Sequence, residues 1–181
     1  MSLVLETDRL ILRSFQDTDL QAFVDYRSDR AIAQFQSWDA PYSEASAAKF
    51  IQQLQQIQPG TPGEWYQIAI ELKMNRQMIG DCAFCVLAED SKQAEIGFTL
   101  ARQYQKSGYA TEALTRLLDY LFISFKLHRV RAICHENNLA SVKLLERIGM
   151  RREAHFIENV WFKGQWASEY WYAVFRNEWI I

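Results

Sequence analysis

The stretch QKSGYATEAL, residues 105–114, follows the strand-like run EIGFTL and opens a long helix-like run. A turn of small residues that leads directly into a helix exposes backbone N–H groups with no intrahelical partner, and the helix dipole favours negative charge there. The stretch is therefore suited to a phosphate group, although a tight turn needed only for packing explains the spacing equally well. It lacks the GK[ST] of a P-loop and the GxGxxG of a dinucleotide fold, which argues against both of those nucleotide sites.

The length and composition of the chain predict one compact domain over residues 1–181. The sequence has 181 residues, of which 49% are hydrophobic, and no run approaches the roughly 20 consecutive apolar residues of a membrane span. The three cysteines, Cys82, Cys85 and Cys134, are odd in number and no secretory signal is evident. We therefore expect a cytoplasmic protein with no membrane partner.

Charge is distributed unevenly along the chain. The net charge is only −2, which argues against a direct nucleic-acid partner. Residues 102–152 nevertheless hold ten Lys or Arg against four acids, a net charge of +6, so the remainder has −8. A basic segment inside an acidic protein suits an anionic ligand bound at one place, and the acidic remainder suits a cationic one. Ordinary solvated surface explains the same pattern equally well.

Outward from residues 105–114, hydrophobic periodicity predicts a mixed α and β order. The central unit is a strand, a long amphipathic helix, a strand and a shorter helix that Gly149 ends. Predicted strands cover residues 9–15, 65–72, 77–87, 92–101 and 129–135, with two more in the aromatic-rich C-terminal part. Predicted helices cover residues 17–28, 43–57, 108–125 and 138–149.

Several motifs in this order resemble a known family. Gln105-Lys106-Ser107-Gly108-Tyr109-Ala110 resembles the Q/R-x-x-G-x-G/A signature of the GNAT superfamily of acyl-CoA-dependent N-acetyltransferases, and NLAS with LLERIGM follows at the family's spacing. TDRLILR at residues 7–13 and KGQW near the C-terminus, with the closing EW, are similar to the branch of ribosomal-protein N-terminal (RimJ/RimL-type) acetyltransferases. The resemblance implies an α+β fold with a central mixed, mostly antiparallel sheet flanked by helices.

The resemblance also implies a binding site for acetyl-CoA, in which the turn holds the pyrophosphate and the preceding strand pairs with the pantetheine arm. Asn138 is in addition a good N-cap for its helix. The implied cofactor-binding residues are Phe98, Thr99, Leu100, Gln105, Lys106, Ser107, Gly108, Tyr109, Ala110, Asn138 and Ser141. The three histidines are scattered and no cysteine spacing suggests a metal ligand set, so we expect no metal.

Acetyl transfer to an amine needs a base for the incoming ammonium and a proton source for the departing thiolate. Glu95 is the candidate base, and a structural strand-end carboxylate is the alternative. Many superfamily members place a Tyr seven residues after the Asn, where this chain has Leu145. Ser141, through a water, is therefore the candidate acid, with a small helix-face residue as the alternative.

The acceptor is an amine, and its identity is open. Trp38, Tyr42 and Trp166 are candidates for the substrate-binding walls, although core packing explains each of them too. The branch often has an Asp where this chain has Ser168. A protein N-terminal α-amino group is the leading acceptor, a polyamine, amino acid or aminoglycoside is the second, and a non-catalytic acyl-CoA-sensing module is a third interpretation. Exposed aromatic residues in the last strands would suit a homodimer.

Overall fold

In a computed structural model of the chain, residues 3–179 are described, so Met1, Ser2, Ile180 and Ile181 lie outside the description. In this described part of the chain, eight strands form one sheet in the order β1-β2-β3-β4-β5-β6-β8-β7. The strands are β1 Val4–Glu6, β2 Leu10–Arg13, β3 Trp65–Leu72, β4 Met78–Val86, β5 Gln93–Leu100, β6 Arg129–His135, β7 Arg151–Phe162 and β8 Gln165–Phe175. Among the strands of residues 3–179, only β5 and β6 pair in parallel, which confirms the predicted mixed, mostly antiparallel sheet.

The predicted helices are present with shorter bounds. The α-helices are α1 Leu20–Arg27, α2 Arg30–Ala33, α3 Glu44–Leu54, α4 Tyr109–Ile123, α5 Leu139–Arg147 and α6 Arg176–Trp179, with 3-10 turns at Asp17–Asp19 and Arg102–Tyr104. Ser43 caps α3, because its hydroxyl accepts from the amide of Ser46 at 3.1 Å. Gly149 follows α5 with a φ of +85°, as a glycine that ends a helix does.

Three short elements were not predicted, namely β1, α2 and α6. Each has only three or four residues, so hydrophobic periodicity has no length in which to develop. Tertiary contacts define them instead. For example, β1 is extended because it pairs with β2 from Val4↔Arg13 to Glu6↔Ile11.

The sheet separates two hydrophobic clusters. On one face, α4 buries a stripe that includes Leu114, Leu117 and Leu121. On the other face, α1 and α3 bring Phe23 and Ile51 onto the sheet. No helix within residues 3–179 is long and apolar enough to cross a membrane.

Candidate active site

The parallel strands β5 and β6 separate part-way along their length. They pair from Gln93↔Arg129 to Ile96↔Ala132, and there the pairing stops. Beyond that point β5 stays with β4 as far as Leu100, while β6 stays with β8 as far as His135. Within residues 3–179, no strand therefore lies beside residues 97–100 on the β6 side, so backbone groups that face that side and are not already bonded can pair with an extended ligand.

The turn that precedes α4 presents backbone amides to the same cleft. Lys106 has a φ of +64° and Gly108 a φ of +83°, so left-handed residues flank Ser107. No side chain caps α4, and the amide of Glu112 donates to the Gly108 carbonyl at 3.0 Å. The amides of residues 109–111 therefore have no side-chain cap within residues 3–179, which is the kind of arrangement that can bind phosphate.

Two side chains fix this turn and the neighbouring helix. The Gln105 amide Nε2 donates to the Leu100 carbonyl at 2.9 Å, which ties the turn to the end of β5. Asn138 caps α5 by accepting from the Ser141 amide at 3.3 Å, which confirms the predicted cap. Leu145, at the usual Tyr position, is fully buried in the core and has no proton to give.

A groove of about 1000 Å³ joins the cleft, the turn and the start of α5. Of the predicted cofactor-binding residues, the groove is lined by Phe98, Thr99, Leu100, Gln105, Lys106, Gly108, Ala110, Asn138 and Ser141. Ser107 and Tyr109 lie beside the groove, where Arg9 contacts both: it donates to the Ser107 carbonyl at 3.0 Å, and its Cζ lies 4.4 Å from the Tyr109 ring centroid.

The groove has further walls that sequence reasoning missed. They are Arg9, Ala31, Ile32, Phe35, Gln36, Thr111, Glu112, Leu139, Ala140, Lys143, Leu144 and Arg147. Lys143 and Arg147 are one helical turn apart in the basic segment, and this spacing was the sequence signal that could have placed both side chains on the groove. Together with Lys106 they place three cations along the groove, as an anionic ligand requires. Other cations of that segment form ion pairs elsewhere, for example Arg129 with Glu153, so only part of the basic segment lies along the groove.

Comparison with known proteins agrees with this geometry. The family model described as an acetyltransferase (GNAT) domain matches residues 9–151. The chain belongs to the GNAT acetyltransferase family. It is 31% identical to the uncharacterized N-acetyltransferase YnaD of Bacillus subtilis, over 97% of this chain and 98% of that protein. The crystal structure of a GNAT acetyltransferase from Bacillus anthracis superposes with a TM-score of 0.86 at 28% identity, covering 97% of this chain and all of that one.

A more distant GNAT relative has a named acceptor. The [ribosomal protein uS5]-alanine N-acetyltransferase of Escherichia coli is 24% identical over 97% of this chain and 92% of that protein. These similarities confirm three predictions: GNAT membership, N-acetyltransferase activity and acetyl-CoA as the donor.

Glu95, the predicted base of this GNAT enzyme, lies outside the groove. It is opposite Arg131 in the parallel register, and its Oε2 accepts from the Arg131 Nη2 at 2.9 Å. Its neighbours Ala94 and Ile96 point into the core that α4 covers, so the Glu95 side chain is on the other face of the sheet. The structure therefore supports the structural alternative for Glu95, and its role as a base stays a prediction.

The predicted acceptor residues also lie apart from the groove lining. Trp38 and Tyr42 pack around the buried Arg27, whose Cζ is 3.9 Å and 5.1 Å from their ring centroids. Trp166 is 57% exposed at the start of β8 and packs edge-to-face on Trp161, with the ring centroids 5.4 Å apart. Packing thus accounts for Trp38 and Tyr42, whereas Trp166 stays more than half exposed, and contact of the three with an acceptor stays a prediction.

Ser168 occupies the position where the branch often has an Asp. It is buried, and its hydroxyl accepts from the amide of Glu158 at 2.9 Å. Glu158 lies where the register of β7 against β8 shifts, between Phe156 and Val160. The Ser168 side chain therefore holds a bulge of the C-terminal hairpin.

Proposed function

We propose that this GNAT enzyme acetylates the α-amino group of a protein N-terminus by direct attack in a ternary complex, with residues 1–181 acting as one cytoplasmic domain. The observation that supports the donor half is the groove, because it joins a free strand edge to an uncapped helix start. Similarity to the uS5-alanine enzyme along nearly the whole chain supports the acceptor half. The exposed Trp161 and Trp166 suit a homodimer contact.

The groove fits a pantetheine arm that ends in a pyrophosphate. We propose that backbone groups of residues 98–100 pair with the arm and that the amides of residues 106–111 bind the pyrophosphate. Gly108 suits this role because it has no Cβ. A Cβ at this position would lie only 3.2 Å from the Arg9 Nη2 and would occupy space in the turn. Acetyl-CoA supplies the thioester whose acyl carbon is transferred.

Acetyl transfer requires a proton acceptor for the amine and a proton donor for the thiolate. The acceptor ammonium must lose a proton before its nitrogen can bond to the acyl carbon, and the carbon–sulfur bond then breaks to release thiolate. Glu95 is the base in our proposal, and a water must carry the proton to it, since its carboxylate does not line the groove and pairs with Arg131 at 2.9 Å. Ser141 lines the groove on the first turn of α5 and relays a proton to the thiolate, again through water. An ordinary thiol has a pKa near 8.5, so this step needs little help.

Cofactor binding tests the donor half. We expect Gly108→Val to weaken acetyl-CoA binding at least about 10-fold in a calorimetric titration, because a branched side chain obstructs the turn. Gly164→Val is the matched control: Gly164 also has a positive φ, +86°, but within residues 3–179 no heavy atom beyond its chain neighbours lies within 4 Å of a Cβ built there. Equal acetyl-CoA affinity in the two variants would contradict the proposed phosphate turn.

Turnover tests the acceptor half. Thiol release from acetyl-CoA is measured against N-terminal peptides of ribosomal proteins, polyamines, amino acids and aminoglycosides. Release that is fastest with a peptide supports the proposal, whereas release with small amines alone assigns the enzyme to that class. Cofactor binding without release on any acceptor would identify a sensing module. Glu95→Gln and Ser141→Ala, compared over a pH range, test the two proton roles, and wild-type turnover in both variants would reject them.

A further inference from the structure

The N-terminal strand pair contributes a cation to the phosphate turn. We propose that Arg9, on the loop between β1 and β2, binds the pyrophosphate of the donor and neutralises Glu112 beside it. This inference rests on the proposed placement of the cofactor in the groove. It gives a function to the first Arg of TDRLILR, a stretch that lies about 100 residues from the turn in sequence.

The Arg9 guanidinium is oriented by three contacts. Its Nε donates to the Glu112 Oε2 at 2.6 Å, its Nη1 donates to the Ser107 carbonyl at 3.0 Å, and its plane lies near the Tyr109 ring. The remaining nitrogen, Nη2, makes no hydrogen bond within residues 3–179 and lies 3.2 Å from the position of a Cβ on Gly108. A free, charged donor is thus held above the glycine of the phosphate turn.

Glu112 explains why a cation is needed there. Its carboxylate lines the groove on the first turn of α4, where a negative charge would repel a pyrophosphate. Burial alone would raise the pKa of Glu112, but hydrogen bonds from Thr7 and Arg9 lower it, so the group stays ionised. Arg9 cancels that charge at 2.6 Å and leaves Nη2 for the ligand.

The carboxylate also determines where Arg9 sits. The Glu112 Oε1 accepts from the Thr7 hydroxyl at 2.5 Å and from the Arg9 amide at 2.9 Å. The Arg9 backbone amide therefore holds the loop against α4. The Cα of Arg9 is fixed in this way, and its guanidinium reaches the turn before α4. Arg13, the second Arg of the motif, is buried with Asp19 and Glu71 and does not line the groove.

A donor that lacks the pyrophosphate distinguishes a loss of pyrophosphate binding from a general loss of folding or activity. We expect Arg9→Ala to weaken CoA binding in calorimetry, and to lower kcat/KM for acetyl-CoA, by roughly 10- to 100-fold, as for loss of a charged hydrogen bond. With S-acetylpantetheine, which lacks the pyrophosphate, kcat/KM should stay at the wild-type value. Arg116→Ala is the control, since Arg116 donates to the Glu6 carbonyl at 3.1 Å on the same strand pair but does not line the groove.

A double variant tests the charge argument. In the Arg9→Ala background, Glu112→Gln should raise CoA affinity several-fold, because it removes an unpaired negative charge. A purely structural network would respond in the opposite direction, since Gln weakens the contact with Thr7. Equal losses with both donors, or a further loss of affinity in the double variant, would overturn the proposal.

Two outcomes keep this inference distinct from the proposed cofactor site. If wild-type protein binds CoA, Gly108→Val abolishes binding and Arg9→Ala leaves it unchanged, only the role of Arg9 fails. If wild-type protein does not bind CoA, the cofactor placement itself fails. Arg9→Lys, which keeps the charge, replaces Arg9→Ala if the Ala variant does not fold, and a smaller loss specific to acetyl-CoA is then expected.

Discussion

Arg13 offers a test of how the N-terminal strands are held to the sheet. Its guanidinium is buried and donates to both carboxylate oxygens of Asp19 at 2.8 Å and to the Glu71 Oε2 at 2.6 Å. Replacing Arg13 with Met keeps an unbranched apolar side chain and removes the charged guanidinium. Two carboxylates with side chains only 3% exposed then lose their shared partner.

The cost is large because the remaining charges cannot reach water. Removing one partner of a buried ion pair costs about 3–5 kcal/mol, out of a total unfolding free energy of about 5–15 kcal/mol. At about 2–4 °C per kcal/mol for a chain of this size, Tm should fall by roughly 6–20 °C. Arg76, which reaches Glu71 at 2.7 Å from an exposed position, places the result toward the lower end.

Urea denaturation followed by circular dichroism measures this loss. The matched control is Arg102→Met, since Arg102 pairs with Asp29 at 2.9 Å while its side chain is 65% exposed. An exposed pair contributes about 0–1 kcal/mol, so the control should unfold near the wild-type midpoint. If Arg13→Met loses no more unfolding free energy than the control, the buried ion pairs of Arg13 with Asp19 and Glu71 do not stabilise the N-terminal strands as argued.

Three further substitutions test other parts of the fold. Gly80→Ala should lower the unfolding free energy by about 1–3 kcal/mol and weaken acetyl-CoA binding, since its Cβ would lie 2.3 Å from the Thr99 carbonyl; unchanged values in urea and calorimetry would contradict this. Lys163→Met removes three hydrogen bonds of 2.6–2.9 Å from its ammonium to residues 33–39, so hydrogen exchange there should accelerate, and an unchanged rate would count against a tether. Burial raises the pKa of Asp81, so the protein loses stability as pH rises above the unfolded pKa of about 4; Asp81→Asn should therefore gain Tm relative to wild type as pH rises above that value, and a constant difference would exclude this.

Some features followed from the sequence because their causes are local. The turn before α4 depends on Gly108 at positive φ and on the helix that starts at the next residue. The caps at Ser43 and Asn138 are hydrogen bonds across three residues. Contacts this short are determined by neighbouring side chains, so residue order alone predicted the turn before α4, the helix starts and most of the central strands.

Other features depend on which distant segments meet. Arg9 donates to the Ser107 carbonyl, 98 residues later in the chain, and no pattern in residues 7–13 predicts that contact. Glu95 was a plausible base from its place on β5, yet the parallel register puts Arg131 beside it. Trp38 was predicted to contact the acceptor, yet the tertiary structure packs its ring on the Arg27 guanidinium. Residue order determined the turn before α4, whereas strand register and helix packing decided which charges surround it, because those contacts exist only once the sheet has formed.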